Sequence, residues 1–222
     1  SDVCSSDLQA LASQCAFKNA GAAAEILDFR DMNKLEAYKG LVDEKQAEEH
    51  ERFSAAYLEL SPPLTTASQV RDYCCDELDA VVVGSDAVFR LAARYQPKRI
   101  KRALLRQQTR YSAFARSRDL APYWLEWTRR QNGIPFKAAL AASSRGAAFY
   151  LLAPSLYNRL WSCIKDFDYM TVRDRWTRLM IHWLSLGKVA PQLCPDPVFC
   201  LNRAFEIPDS EKCAVDLQNT VL

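Results

Sequence analysis

Gly84, Ser85 and Asp86 place a turn-forming glycine, a hydroxyl and a carboxylate in consecutive positions, directly after the apolar run Ala80-Val81-Val82-Val83. A carboxylate beside a hydroxyl can orient an acceptor group or take its proton, provided both are held at the edge of a cleft. A second polar loop, Ser143-Ser144-Arg145-Gly146, follows the apolar stretch Phe136–Ala142. Arg173 then stands just past residues 167–172 and immediately before Asp174, a residue suited to cap a helix starting at Arg175. A cation at a helix N-terminus binds phosphate or carboxylate; the same side chain is equally suited to an ion pair with Asp174 or another nearby carboxylate. His182 falls on the flank of that helix and reads as a surface histidine rather than a catalytic one.

These groups need a scaffold that brings distant loops together, and the hydrophobic pattern supplies one. Residues 80–83 form a short, β-branched run of the kind found in a parallel strand covered on both faces. Residues 23–29, 136–142, 167–172 and 189–193 read as further strands. Helices are predicted for the segment around Leu11, Ala12, Cys15 and Ala16, within 31–61, for 66–76 with Ser68 as cap, for 154–164, and from Arg175 to Gly187. On the last helix Trp176, Leu179, Met180 and Trp183 recur at the spacing of a buried stripe. Alternating strands and helices define an α/β fold, a Rossmann-like parallel sheet with helices on both faces. Such sheets bind ligands at the carboxyl ends of their strands.

Composition narrows the function classes. The 222 residues are 49% hydrophobic and 25% charged, enough for one substantial core. The net charge of +2 does not advertise nucleic acid or membrane binding by the whole molecule. The longest apolar stretch, 134–154, is interrupted by Lys137 and Arg145, so no transmembrane helix is expected. Eight cysteines contain no CxxC pair and are accompanied by only two histidines, His50 and His182. They read as free thiols of a reducing, cytoplasmic compartment, with no metal site.

Local charge is less even. Nine cations lie between Arg94 and Arg118 with no acidic residue before Asp119, interleaved with Tyr95, Tyr111 and Phe114. This segment suits either a solvated basic helix and loop or a lip attracting polyanionic or lipid-linked glycans at the inner membrane surface. No groove-reading motif accompanies it, so no nucleic acid partner is expected. The run 43–52 reads as a solvated helix face with i,i+4 ion pairs. Residues 120–127, LAPYWLEW, suit core packing or a sugar-stacking wall.

Four segments, in order, resemble the polysaccharide pyruvyl transferase family. LDAVVVGSDAVF (78–89) resembles its FDAVIVGSDQVW; KAALAASSRG (137–146) its KIAYAASFG; FDYMTVRD (167–174) its FDYISVRD; and PDPVFCL (195–201) its PDPVFLL. Ala87, Phe89 and Leu140 stand where many members carry Gln, Trp and Tyr. The resemblance implies the first half of a GT-B-like two-domain fold, truncated at both ends. Residues 1–8, SDVCSSDL, match a translated sequencing adapter and are expected to be an artefact. Residues 9–200 would be a Rossmann-like domain lacking its first strand, and 201–222 a hinge and the start of a truncated second domain. A missing strand would leave the backbone of its neighbour unpaired.

The resemblance further implies transfer of the enolpyruvyl group of phosphoenolpyruvate onto sugar hydroxyls, making a pyruvate ketal in exopolysaccharide or cell-wall glycan synthesis. No cofactor is implied; the partners are phosphoenolpyruvate and a glycan or lipid-linked sugar. Asp86 would act on the acceptor hydroxyl. Gly84, Ser85, Ser143, Ser144, Arg145 and Arg173 would bind substrate, with Arg173 as anion contact. The family's later S-x-R-x-H segment does not occur in this chain, so the chain alone is expected to be inactive. Two alternatives stay open: a nucleotide-sugar-dependent GT-B-like glycosyltransferase and a non-catalytic glycan-binding module.

Overall fold

The structure is a computed structural model that describes residues 5–30, 32, 44–86, 88–91, 120, 122–126, 135–144, 149, 152 and 154–201. In chain order the elements are α1 (Ser5–Asn19), α2 (Glu44–Tyr57), α3 (Ala67–Glu77), β1 (Ala80–Gly84), a 3-10 turn (Pro122–Trp124), β2 (Phe136–Ala142), α4 (Pro154–Ile164), β3 (Tyr169–Val172), α5 (Arg175–Leu184), β4 (Gln192–Leu193) and a second 3-10 turn (Pro197–Cys200). The strands form one parallel sheet in the order β1-β2-β3-β4, so the fold is α/β with flanking helices.

Each crossover advances the sheet by one strand in the same direction. Right-handed crossovers of that kind deliver their helices to a single face. The core is on that face: Val81 and Val83 of β1, Ala139 of β2 and Met170 and Val172 of β3 pack with Val70 and Cys74 of α3, Leu156, Leu160 and Ile164 of α4, and Met180, Ile181 and Leu184 of α5. On the opposite face Val82, Phe136 and Tyr169 are exposed. This corrects the expectation that residues 80–83 are covered on both faces; further along the sheet, Ala138 of β2 and Thr171 of β3 are buried on that second face.

Aromatic packing closes the core at its edge. Trp124 is fully buried, its ring 4.6 Å from that of Phe89 and its indole N–H donating to Arg90 O at 3.2 Å. The segment 122–125 is thereby packing material, as expected for one of its two readings. Lys137 is buried on the core side of β2, and its ammonium donates to Leu125 O at 3.4 Å.

Helix ends follow local chemistry. Asp174 caps α5 by accepting from Thr177 N at 2.7 Å. The cap of α3 is Thr66 and not Ser68: Thr66 Oγ1 accepts from Gln69 N while Gln69 Oε1 accepts from Thr66 N, a reciprocal capping box. Residues 23–29 do not form a sheet strand. Ile26 and Phe29 make isolated parallel bridges to Leu60 and Leu64. Gln14, buried on α1, ties that ribbon together by donating to Ala24 O and Glu59 O and accepting from Glu59 N. Ser5 to Leu8 continue α1, and Asp7 pairs with His50 Nδ1 at 2.8 Å.

Of the predicted buried stripe of α5, Met180 is buried and the other three residues are not. Trp176, Leu179 and Trp183 are 41%, 49% and 57% exposed, and the inward side chains are Thr177, Met180, Ile181 and Leu184.

Gly84 pairs with Leu140 of β2 at the end of β1. A Cβ there would lie 2.9 Å from the backbone oxygen of Leu140. Gly84→Ala is expected to push the strands apart and cost about 1–3 kcal/mol, read as a lower denaturation midpoint in urea.

Candidate functional site

The ladder runs on past the strands and holds three loop entrances side by side. Ser143 N donates to Ser85 O at 3.3 Å, Arg173 N to Ala142 O at 3.2 Å and Cys194 N to Val172 O at 2.9 Å. The loops following β1, β2, β3 and β4 therefore leave the sheet at one edge. Ser85 has φ +95°, a left-handed backbone uncommon for a residue with a side chain. In β2, Ala141 at φ +47° makes an irregularity in the register. Thr171 Oγ1 satisfies the displaced groups, accepting from Ala141 N at 2.9 Å and donating to Ala139 O at 3.2 Å.

Arg173 organises this edge. Its guanidinium pairs with Asp86 from the β1 loop, and also with Asp196 beyond β4 at 2.6 Å. Asp174 is not one of its partners in these pairs; that carboxylate is committed to Thr177. Gln9 of α1 is buried and donates its amide to Asp196, and its Oε1 has no hydrogen-bond partner. One cation is thus clamped by two carboxylates drawn from opposite ends of the sheet. Arg173 and Asp86 remain reachable, their side chains 25% and 45% exposed.

The two serines of the β2 loop have a different position. Ser143 and Ser144 are buried. Ser144 N donates to Thr177 Oγ1 at 2.8 Å, and that hydroxyl lies 3.0 Å from Ser144 Oγ and 2.7 Å from Asp174 Oδ2. Ser144 is fastened to the first turn of α5, and this joins the β2 loop to the helix that starts beside Arg173. Among the expected site residues, Gly84, Ser85, Asp86, Ser143, Ser144 and Arg173 all fall at this edge. Arg145 and the basic segment 94–118 lie outside the described residues.

Two participants were not singled out from sequence. Asp196 follows the fourth parallel strand, a position that strand-end logic would have marked. Gln9 carries a weaker signal, a polar side chain three residues before the buried Ala12 and so on the same helix face.

Among the described residues no group of three or more His, Cys, Asp or Glu could hold a metal, and no helix is long and apolar enough to cross a membrane. The described cysteines are free. Burial pushes the Cys74 thiol up to about 12, with the neighbouring Cys75 adding to it, and burial likewise raises Cys163 to about 12. Set against known proteins, the chain matches no family model, no curated protein and no solved structure.

Two outcomes are expected. Thr177→Val keeps the shape but leaves Ser144 N buried without its acceptor. It should cost about 1–3 kcal/mol, lowering the melting temperature by roughly 2–12 °C in calorimetry; Thr177→Ser should retain most of the stability. In native labelling with iodoacetamide followed by peptide mapping, the exposed Cys200 should react while Cys74 and Cys163 stay protected until unfolding, because the thiolate is the nucleophile.

Proposed function

We propose that this chain is the N-terminal part of a polysaccharide pyruvyl transferase with a GT-B-like two-domain architecture, and that the strand-end crevice is its acceptor side. The observation that carries the reading is the meeting, at one sheet edge, of loops from all four family-like segments, joined through the Asp86–Arg173–Asp196 bridge. The reaction joins two sugar hydroxyls to the enol carbon of phosphoenolpyruvate. The neighbouring methylene gains one proton and becomes the methyl, and phosphate departs with the other. A base must take a hydroxyl proton, and cations must hold the carboxylate and the leaving group.

The bridge suggests how donor and acceptor are coupled. A carboxylate of the donor reaching Arg173 would take the place of one protein carboxylate, since the guanidinium offers a limited number of planar two-point contacts. Displacing Asp86, the more exposed of the two partners, frees it to accept a proton from an acceptor hydroxyl. Ser85 presents a hydroxyl beside it. Ser143 and Ser144 act by positioning the β2 loop. The segment 94–118 would guide a lipid-linked or polyanionic acceptor to the crevice at the cytoplasmic face of the membrane.

A second reading, a non-catalytic glycan-binding module, is favoured by the charge balance: two carboxylates face one guanidinium, an excess of acceptors that suits sugar hydroxyls.

The test uses the full-length gene product. Phosphate release from phosphoenolpyruvate should depend on a galactose-, mannose- or glucose-containing acceptor, and the product should gain the mass of a pyruvate ketal. Arg173→Lys should raise the donor KM by about tenfold or more through loss of bidentate contact. Asp86→Asn should lower kcat by roughly 10²–10⁴ with donor binding retained. Acceptor binding without any phosphate release would favour the binding module, and unchanged donor KM and turnover in Arg173→Lys would remove Arg173 from donor contact.

A further inference from the structure

The outer surface of α5 carries two parallel rows. Trp176, Leu179 and Trp183 recur at i, i+3 and i+7, and Leu186 continues them just past the helix end; the four are 41%, 49%, 57% and 71% exposed. One residue earlier at each step stand Arg175, Arg178 and His182, all exposed. Successive residues are about 100° apart around a helix, so the basic row flanks the apolar row on the side away from the core.

Neighbouring side chains reinforce both rows. Phe149 lies 5.5 Å from the ring of Trp176 and 6.3 Å from that of Trp183, backing the apolar row. Lys165 and Lys188 sit 5.9 Å and 5.8 Å from the ring of Trp161 on the adjacent α4, adding cations. From Arg175 to Pro195 the sequence contains no acidic residue.

From this pattern we infer that α5 is an interfacial docking surface for an anionic lipid bilayer. Tryptophans suit the boundary between headgroups and acyl chains, where an apolar ring is buried and its N–H stays wet. The adjacent cations match the negative surface of a leaflet containing anionic lipids. A second copy fits less well, because two such faces would set Arg175, Arg178 and Lys188 against their own counterparts. The inference uses no residue of the basic segment 94–118 and does not depend on the crevice chemistry. If the transferase reading holds, it would bring Arg173, two residues before α5, close to a lipid-linked acceptor.

The experiment is flotation of the 222-residue chain with vesicles of phosphatidylcholine alone or with about one third phosphatidylglycerol. Binding is expected only to the anionic vesicles and should weaken in high salt. Trp176→Ser combined with Trp183→Ser should reduce partitioning by about tenfold or more. Arg175→Gln with Arg178→Gln, a change confined to exposed charges, should reduce it by roughly fivefold or more, with circular dichroism unchanged. Absence of anionic-vesicle binding, or equal binding by both double variants, overturns the inference. So does light scattering that finds a wild-type dimer made monomeric by the tryptophan substitutions, since the face would then belong to a second copy.

Discussion

A parallel strand cannot be joined to its neighbour by a tight turn; it needs a crossover long enough to return the chain to the starting end. That constraint shapes the whole described fold. Because the order is β1-β2-β3-β4, the crossovers step the same way and their helices share one face of the sheet. All loops that leave strand ends are then delivered to a common edge. Concentration of core residues, exposure of Val82, Phe136 and Tyr169 on the other face, and the convergence of Asp86, Arg173 and Asp196 are consequences of the same topology.

The edge is stabilised in two ways that differ in kind. Backbone bonds from Ser143 to Ser85 and from Arg173 to Ala142 extend the ladder and set the loop spacing. Side chains then cross-link loops that are not neighbours in the sheet: Arg173 spans from the β1 loop to the segment after β4, and Thr177 ties α5 to the β2 loop. A half-exposed ion pair such as Arg173–Asp86 contributes little stability on its own. Its value is geometric, since a planar guanidinium held at two points leaves few orientations open, and exchange of one carboxylate for another costs less than creating a bare charge.

Much of the frame was legible because local chemistry and global packing agree. Phe136–Ala142 and Pro154–Ile164 emerged with the bounds that apolar period and caps predict, and the last helix starts at Arg175 as predicted but ends at Leu184, short of Gly187. The α3 cap was misread although its signal was present: Thr66 and Gln69 have the spacing of a reciprocal box, whereas Ser68 lies inside the helix. Residues 23–29 have strand composition, yet composition does not say which strand will offer a partner, and only Leu60 and Leu64 do. Of the site, the three strand-end loops could be read from runs of apolar residues followed by polar ones. The carboxylates that would clamp Arg173 could not, since Asp86 and Asp196 are 110 positions apart and only the fold brings them together.

The α5 surface shows where periodicity stops being informative. Two sets of residues recur there at helical spacing, and hydropathy favours the one containing both tryptophans. The fold buries the other, because Thr177 must face inward to accept from Ser144 N and cap with Asp174. Fixing that one hydroxyl fixes the rotation of the whole helix, and Met180, Ile181 and Leu184 follow it into the core. The tryptophans are turned outward as a result, so the apolar exposure of α5 is the geometric counterpart of the bond that orders the β2 loop. Rotating the helix to hide them would cost a buried, unsatisfied backbone N–H and the N-cap together, and would turn Met180, Ile181 and Leu184 out to solvent in exchange.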